Sequence, residues 1–388
     1  MNVLFFTYDF PWPTNTGGKS RAYHMLKFAK KNSNIVLYSF IRPDFKDEYK
    51  KEIEKIGIKN IKLFARNKVM RVKNAKTLIS GSHSIFYYLY FEKEILKELL
   101  TDIKELDIDV VHFESFYTGY YLSREIQSTG VKQIFGTENI EYLLYKQYAD
   151  SKKVLKPFLT REVKKIEKEE RGFIKQADAT LAVTAGEEEV IKTLGAKKTF
   201  IIENGIDPDF FELKPQKKEI GKKLLFVGNF SYFPNTDAVK FFYYDVFSMM
   251  SDYTLTIIGK NVNTLPFIND PRITAIEFIK DIRDGYNNAD IMVSPVRIGG
   301  GTNFKILEAM ASGIPVVAHP ARLSGLGVVK DKHLSVASSS REIIDAIKKI
   351  NEDYSYRRKI VTEAREFVEK NFSWTAIGEK LNKVWKTT

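Results

Sequence analysis

Short apolar runs recur along the chain with polar, helix-like stretches between them. "NVLFFTY" comes first, and "NIVLYSF", "IKLFA", "DVVHFES" and "KQIFGTE" follow it. Unalternating runs of this length suit strands covered on both faces, and helical segments between them suit βα units. The N-terminal half therefore reads as an α/β domain with a mainly parallel sheet, its first helix expected from about Ser20. From Ser151 to Gln176 the chain turns charged and helical, and "ADATLAVTAGEEEVIKTLG" adds another strand and helix. The second half repeats the pattern in "KLLFVGNF", "YTLTIIGK", "ITAIEF", "ADIMVSP" and "IPVVAH", then ends in a helical tail. Turn residues and charge coincide near Phe211 to Lys222, where a domain boundary is expected. The pattern predicts two doubly wound α/β domains facing each other across a cleft, with ligands beyond the carboxyl ends of the strands.

Composition agrees with two cores: 388 residues, 44% of them hydrophobic. Lys and Arg number 61 against 49 Asp and Glu, a formal charge of +12 that favours anionic partners such as phosphates, acidic lipids or nucleic acid. Much of the excess lies in amphipathic stretches such as "KDEYKKEIEKIGIKNIKLFARNKVMRVKNAK", where lysines form a solvated face. Cysteine is absent, which excludes disulfides, thiolate catalysis and cysteine zinc sites. The opening residues lack a basic region and read as a strand rather than a signal peptide; no stretch has the uncharged length to span a bilayer. A cytoplasmic protein is expected, with peripheral contact to an acidic membrane left open. Nucleic acid is not an expected partner, because the 28 Phe and 20 Tyr fall mainly in strands or in "SHSIFYYLYFEKE" rather than alternating with cations. That cluster, with the basic segment Lys62 to Lys76, has two readings: an interfacial patch, or, slightly favoured, filling of the first core.

The densest chemistry is "SPVRIGGGTNFKILEAM". Glycines let the backbone approach a ligand closely, and free amides at a helix start attract phosphate oxygens. Arg297 and Lys305 flank the loop, so a diphosphate is the natural occupant, a tight strand-to-helix turn being the alternative. Glu308 lies three residues after Lys305 on the same helix face, placed to accept from ribose hydroxyls or to pair with Lys305.

With "GGGTNFKILEAMASGIPVV" the chain resembles the retaining glycosyltransferases of the GT4 family, in the branch with a glycine loop. The likeness extends to "PWPTNTGGKSR", "ENGIDPDFF", "FVGNFSYFPNTDAV" and "FSWTAIGEKL". It implies a GT-B fold of two Rossmann-like domains: an acceptor-binding domain over 1–211, a donor-binding domain over 212–371, and a final helix, 372–388, packing back on the first. It implies transfer of a hexose, with retention, from a UDP-, GDP- or dTDP-sugar to a glycan or lipid-linked glycan in cell-surface polysaccharide synthesis. No cofactor beyond the donor and no metal is expected. Carried over by position, Glu308 faces the ribose, Thr302, Asn303 and Lys305 the diphosphate, Gly17 and Gly18 the donor sugar and phosphates, and Ile282 the base.

Three departures stand out. The first glutamate of the family's pair is replaced by Gly300, so backbone amides of Gly300 and Gly301 are candidates for its contact. The usual arginine after the opening glycine of the second domain is Asn229, which leaves Arg297 and Lys305, with Arg21 as a weaker third, to neutralise the leaving diphosphate. The family's histidine aligns with Glu138, which either orients or deprotonates the acceptor hydroxyl or serves as a local cap or salt bridge. His112 is a second catalytic candidate, with burial and backbone satisfaction as its rival reading. The pairs Asp107 with Asp109 and Asp207 with Asp209 have strand and turn explanations and are not expected to hold metal. An inactive nucleotide- or glycan-binding subunit and a nucleotide-sugar epimerase are the alternatives to a transferase.

Overall fold

The computed structural model describes residues 1–66, 81–151, 156–297, 304–323 and 326–388. They form two compact units, Met1–Gly205 with Ile377–Thr388, and Ile206–Ala376.

The first unit is built on seven parallel strands: β1 (Asn2–Thr7), β2 (Asn34–Ile41), β3 (Asn60–Ala65), β4 (Val110–Glu114), β5 (Lys132–Gly136), β6 (Ala179–Ala182) and β7 (Thr199–Ile201). Their order is β3-β2-β1-β4-β5-β6-β7. Helices on both faces explain why β1, β2, β4 and β5 read as near-continuous apolar runs. The register sets Thr7 beside Glu114 and Glu114 beside Gly136, so the carboxyl ends of β1, β4 and β5 emerge side by side.

The first helix, α1 (Gly17–Ala29), begins earlier than its sequence suggests. Thr16 caps it by accepting from the Lys19 amide, and the two glycines form its first turn rather than an open loop. This phase places Arg21, Ala22, Met25, Leu26 and Ala29 on the buried stripe. After β5 comes a helical hairpin, α2 (Glu141–Ser151) and α3 (Lys156–Gln176). Buried Glu170 of α3 accepts the amides of Glu141 at 2.9 Å and Tyr142 at 3.0 Å, satisfying the otherwise orphaned start of α2. The aromatic cluster near Ile85 fills the core: Leu89 and Tyr90 are buried, and Tyr121 donates to the Tyr90 carbonyl at 2.7 Å. Lys62 is tied to Glu98 and Asp102; residues 67–76 of the basic segment lie outside the described residues.

The second unit carries β8 (Lys223–Val227), β9 (Thr254–Ile258), β10 (Ile273–Ile276), β11 (Ile291–Ser294), β12 (Val316–Ala318) and the short β13 (Ser335–Val336), the last not anticipated from sequence. All are parallel, in the order β10-β9-β8-β11-β12-β13. Helices α4 (Phe233–Asp245) and α5 (Phe304–Ala311) follow β8 and β11.

The C-terminal helix, Trp374–Thr387, joins the first unit from Ile377 onward. There Asn382 donates to the Ala29 carbonyl at 2.9 Å and accepts from Ser33 at 2.7 Å. A β-carbon on Gly378 would lie 2.6 Å from that of Phe28, so this contact with α1 depends on glycine. Among the described residues, no helix is long and apolar enough to cross a membrane.

Candidate functional site

The joined ends of β1, β4 and β5 carry charge into the first unit's interior. Along β4 the side-chain period of two puts His112 and Glu114 on one face, and both are buried. His112 Nε2 lies 2.8 Å from Glu114 Oε2, and Arg21 Nε donates to Glu114 Oε1 at 2.7 Å. Arg21 also reaches Asn204 Oδ1 at 2.8 Å. At Gly136, facing this group from β5, a β-carbon would fall 2.0 Å from Glu114 Oε2, which explains the glycine. Burial alone would raise the Glu114 carboxyl, but Arg21 and the His112 bond outweigh it and hold it below its ordinary value.

Glu138 sits two residues beyond β5. Its Oε1 is buried without a hydrogen-bond partner. A β-carbon on Gly18 would lie 2.6 Å from the Tyr8 hydroxyl and 2.7 Å from each Glu138 oxygen, whereas one on Gly17 would meet nothing within 4 Å. Tyr8, Gly18 and Glu138 thus converge at the start of α1. Burial pushes Glu138 up to about 7, with the negative charge of Glu114 adding to the rise and Arg21 and hydrogen bonding from Tyr8 opposing it. Farther along, burial with Glu170 and Glu138 raises Glu141 to about 8.

This geometry revises two expectations. Arg21, a candidate for the donor phosphates, is 2% exposed and turned inward onto Glu114. The reason is helix phase: a start at Gly17 puts position 21 on the buried stripe. His112 has no exposed surface and both ring nitrogens are engaged, Nδ1 by the Trp385 indole at 3.1 Å and Nε2 by Glu114. Its contacts are with neighbouring groups of the first unit, Glu114 and Trp385. Sequence reading overlooked Tyr8, Asn204 and Trp385; for Glu114, the His-x-Glu spacing within a strand was the available signal.

In the second unit, α5 projects Lys305 toward the carboxyl end of β8. Its ammonium donates to the Val227 carbonyl at 3.0 Å and to Asn235 Oδ1 at 2.9 Å. Glu308, one turn later, accepts the Tyr286 hydroxyl at 2.7 Å; burial raises its carboxyl and that bond opposes the rise. Asn229 shapes the loop after β8, its side chain accepting from the Ser231 amide at 2.9 Å. Gly259 next door has φ of +140° and backs onto the Gly228 carbonyl, where no side chain fits. Ile282 is the first residue of the helix Ile282–Asn287, capped by Asp281.

Arg297 differs from its expected role. Asp237 binds it through both oxygens, at 3.0 and 2.9 Å, and its guanidinium rests 4.4 Å from the centre of the Phe241 ring. Its charge is already matched. Gly300, Gly301, Thr302 and Asn303 lie outside the described residues. One aspartate of each acidic pair serves the backbone: Asp109 accepts from the Asn2 amide at 2.7 Å, and Asp207 from the Asp209 amide at 3.1 Å. Among the described residues no group of three or more His, Cys, Asp or Glu is placed to hold a metal ion.

Comparison with known proteins sets this geometry in a class. A family model described as Glycosyltransferase Family 4 matches residues 61–210, and one described as Glycosyl transferases group 1 matches 221–353. The structure of HepE from Anabaena in complex with UDP aligns over 100% of both chains, with a TM-score of 0.65 and 14% identity. Sucrose-phosphate synthase from Thermosynechococcus elongatus aligns over 99% of this chain and 98% of its own, with a TM-score of 0.63 and 14% identity. The lipopolysaccharide outer core galactosyltransferase WaaB, in its apo form, aligns over 100% of both chains, with a TM-score of 0.62 and 16% identity. At such identities the structural likeness is one of fold. No curated protein sequence matches the chain. The fold is GT-B, and the protein is an enzyme of the glycosyltransferase class. Within that class the two family models place it with the group 1 and family 4 glycosyltransferases.

Proposed function

We propose that the protein transfers a hexose, with retention of anomeric configuration, from a nucleoside-diphosphate sugar to a hydroxyl of a glycan or lipid-linked glycan. The second unit is the donor side. Lys305, at the end of β8, supplies charge to the diphosphate, Glu308 accepts from the ribose, and Asn229 and Ile282 border the nucleotide. Gly300, Gly301, Thr302 and Asn303 belong to the same side by resemblance. The first unit is the acceptor side, and the convergence of Glu138, Tyr8 and Gly18 is the single observation that supports this reading most. An unpartnered buried carboxyl oxygen is costly unless something completes it. An acceptor hydroxyl would do so, oriented by Glu138 and able to pass it a proton.

Retention without an evident enzymic nucleophile fits front-face displacement. The bond from the anomeric carbon to the diphosphate breaks as the acceptor oxygen attacks from the same side, while Lys305 offsets charge on the departing phosphate. With one aspartate of each acidic pair, Asp109 and Asp207, engaged by a backbone amide, the reading is of a reaction in which protein cations, and no metal, carry this load. HepE has been solved with UDP and with UDP-glucose, which makes a uridine donor the first to try.

The test is a panel of UDP-, GDP- and dTDP-sugars offered with candidate acceptors, with and without chelator, the product anomer being read by NMR. Formation of an α-linked product from an α-donor, undiminished by EDTA, is expected. An inverted product, or epimerised donor without transfer, would overturn the proposal. Loss of activity with EDTA, restored by magnesium, would overturn its metal-free part.

A further inference from the structure

Behind Glu138 stands a row of buried groups that no step above uses. Trp385, on the C-terminal helix, is 2% exposed, and its indole donates to His112 Nδ1 at 3.1 Å. An indole nitrogen only donates, so Nδ1 is the bare, accepting nitrogen and the ring proton sits on Nε2. Nε2 in turn points at Glu114 Oε2, 2.8 Å away, and the imidazole donates to that carboxylate. A second proton would have to enter at Nδ1, where the indole hydrogen already lies. The two contacts together are those of the Nε2–H tautomer.

That matters for the charge around Glu138. Facing it are Tyr8 and Asp9 at the end of β1, Arg21 of α1, Glu114 of β4 and Glu141 of α2. Arg21 and Glu114 balance each other through their 2.7 Å pair. An imidazolium at His112 would add a further cation to this group and favour loss of the proton from Glu138.

We infer that Trp385 is a positioning residue acting through His112: by fixing the Nε2–H tautomer it keeps an extra positive charge away from the Glu114 and Glu138 pair and preserves the proton-accepting role of Glu138. The inference rests on the reading of Glu138 as the acceptor-side carboxyl. It also gives the C-terminal helix a task beyond packing, since its last turns reach the site's supporting strand.

The experiment is NMR on the full-length enzyme carrying 15N-histidine and 13C-carboxyl glutamate, titrated from about pH 6 to about pH 8.5 around the imidazole range. The chain has five histidines, and His112→Gln and Glu138→Gln assign the two signals. In the wild type, His112 should show one protonated Nε2 and one bare Nδ1 throughout. In Trp385→Phe, which keeps the aromatic bulk and removes the donor, His112 should gain a second proton and the Glu138 midpoint should fall by on the order of one pH unit. An Nδ1–H tautomer in the wild type, or an unmoved Glu138 midpoint in folded Trp385→Phe, would overturn the inference. Should Trp385→Phe fail to fold, His112→Gln decides: an uncharged donor to Glu114 should leave the Glu138 midpoint unchanged, and a marked rise, the mark of a lost cation, would overturn the inference. Turnover of Glu138→Ala tests the underlying reading separately. Full activity there, with the midpoint moving in Trp385→Phe, would sink the catalytic role and leave the coupling standing.

Discussion

The two units end their leading strands in opposite chemical styles. Beyond β1 the chain gathers Asp9, Glu114, Glu138 and Glu141 near one inward arginine, and two of these carboxyls are pushed into the neutral range. Beyond β8 it places an ammonium, Lys305, among a carbonyl and an asparagine, with Glu308 satisfied by a tyrosine. Crowded carboxylates hold protons, whereas Lys305 keeps an ammonium at a strand end by donating to a carbonyl and an amide oxygen. On the proposed reading, a shared architecture serves proton handling in the first unit and anion binding in the second.

The sharpest way to break this contrast is at Lys305. Lys305→Met keeps the stem and removes the charge; losing a charge-assisted bond worth about 1.5–3 kcal/mol should weaken donor affinity roughly tenfold to a hundredfold by calorimetry. Unchanged affinity would place the donor's charge elsewhere. At the other end, Gly18→Ala forces a methyl against Tyr8 and Glu138. Displacing that carboxyl should lower turnover by roughly tenfold and stability by about 1–3 kcal/mol. Gly17→Ala, with open space around it, controls for the effect of the clash on stability.

Stability against pH separates the units further. Folding raises Glu138 to about 7, Glu141 to about 8 and Glu170 to about 7, so between the ordinary glutamate range and these values the folded state binds more protons than the unfolded chain. These groups therefore favour folding at low pH within that window, and their contribution is lost as pH rises through it. Melting should drop by a few degrees (~3 °C) from about pH 6 to about pH 8.5, and Glu141→Gln should flatten the slope. A melting temperature that climbs over this range would contradict the clustering. The smallest effect belongs to Arg297→Gln: with its charge already matched by Asp237, donor affinity should change by less than about twofold.

Much of this was legible in the sequence, for definable reasons. Strands buried on both faces announce themselves as apolar runs, so β1, β2, β4, β8 and β9 could be read directly. Glu138 was named through the resemblance, which aligns it with the family's histidine, and Glu308 because helix spacing ties it to Lys305. Arg21 was misplaced by three residues of helix phase: a start at Ser20 leaves it near an open helix end, and a start at Gly17 turns it inward beside Met25 and Ala29. Trp385 was out of reach altogether. It meets His112 across 273 positions of sequence, a contact set by the path of the last helix and by nothing local.

The central claim is that the crowded carboxyl end of the first unit performs chemistry on the acceptor. Kinetics of Glu138→Ala, with donor affinity measured in parallel on the same preparation, tests it most directly. A fall in kcat of roughly a hundredfold or more, with donor Kd within about threefold of wild type, is the outcome expected of a group acting chiefly in the transition state. A Glu138→Ala enzyme that turns over at the wild-type rate would contradict it.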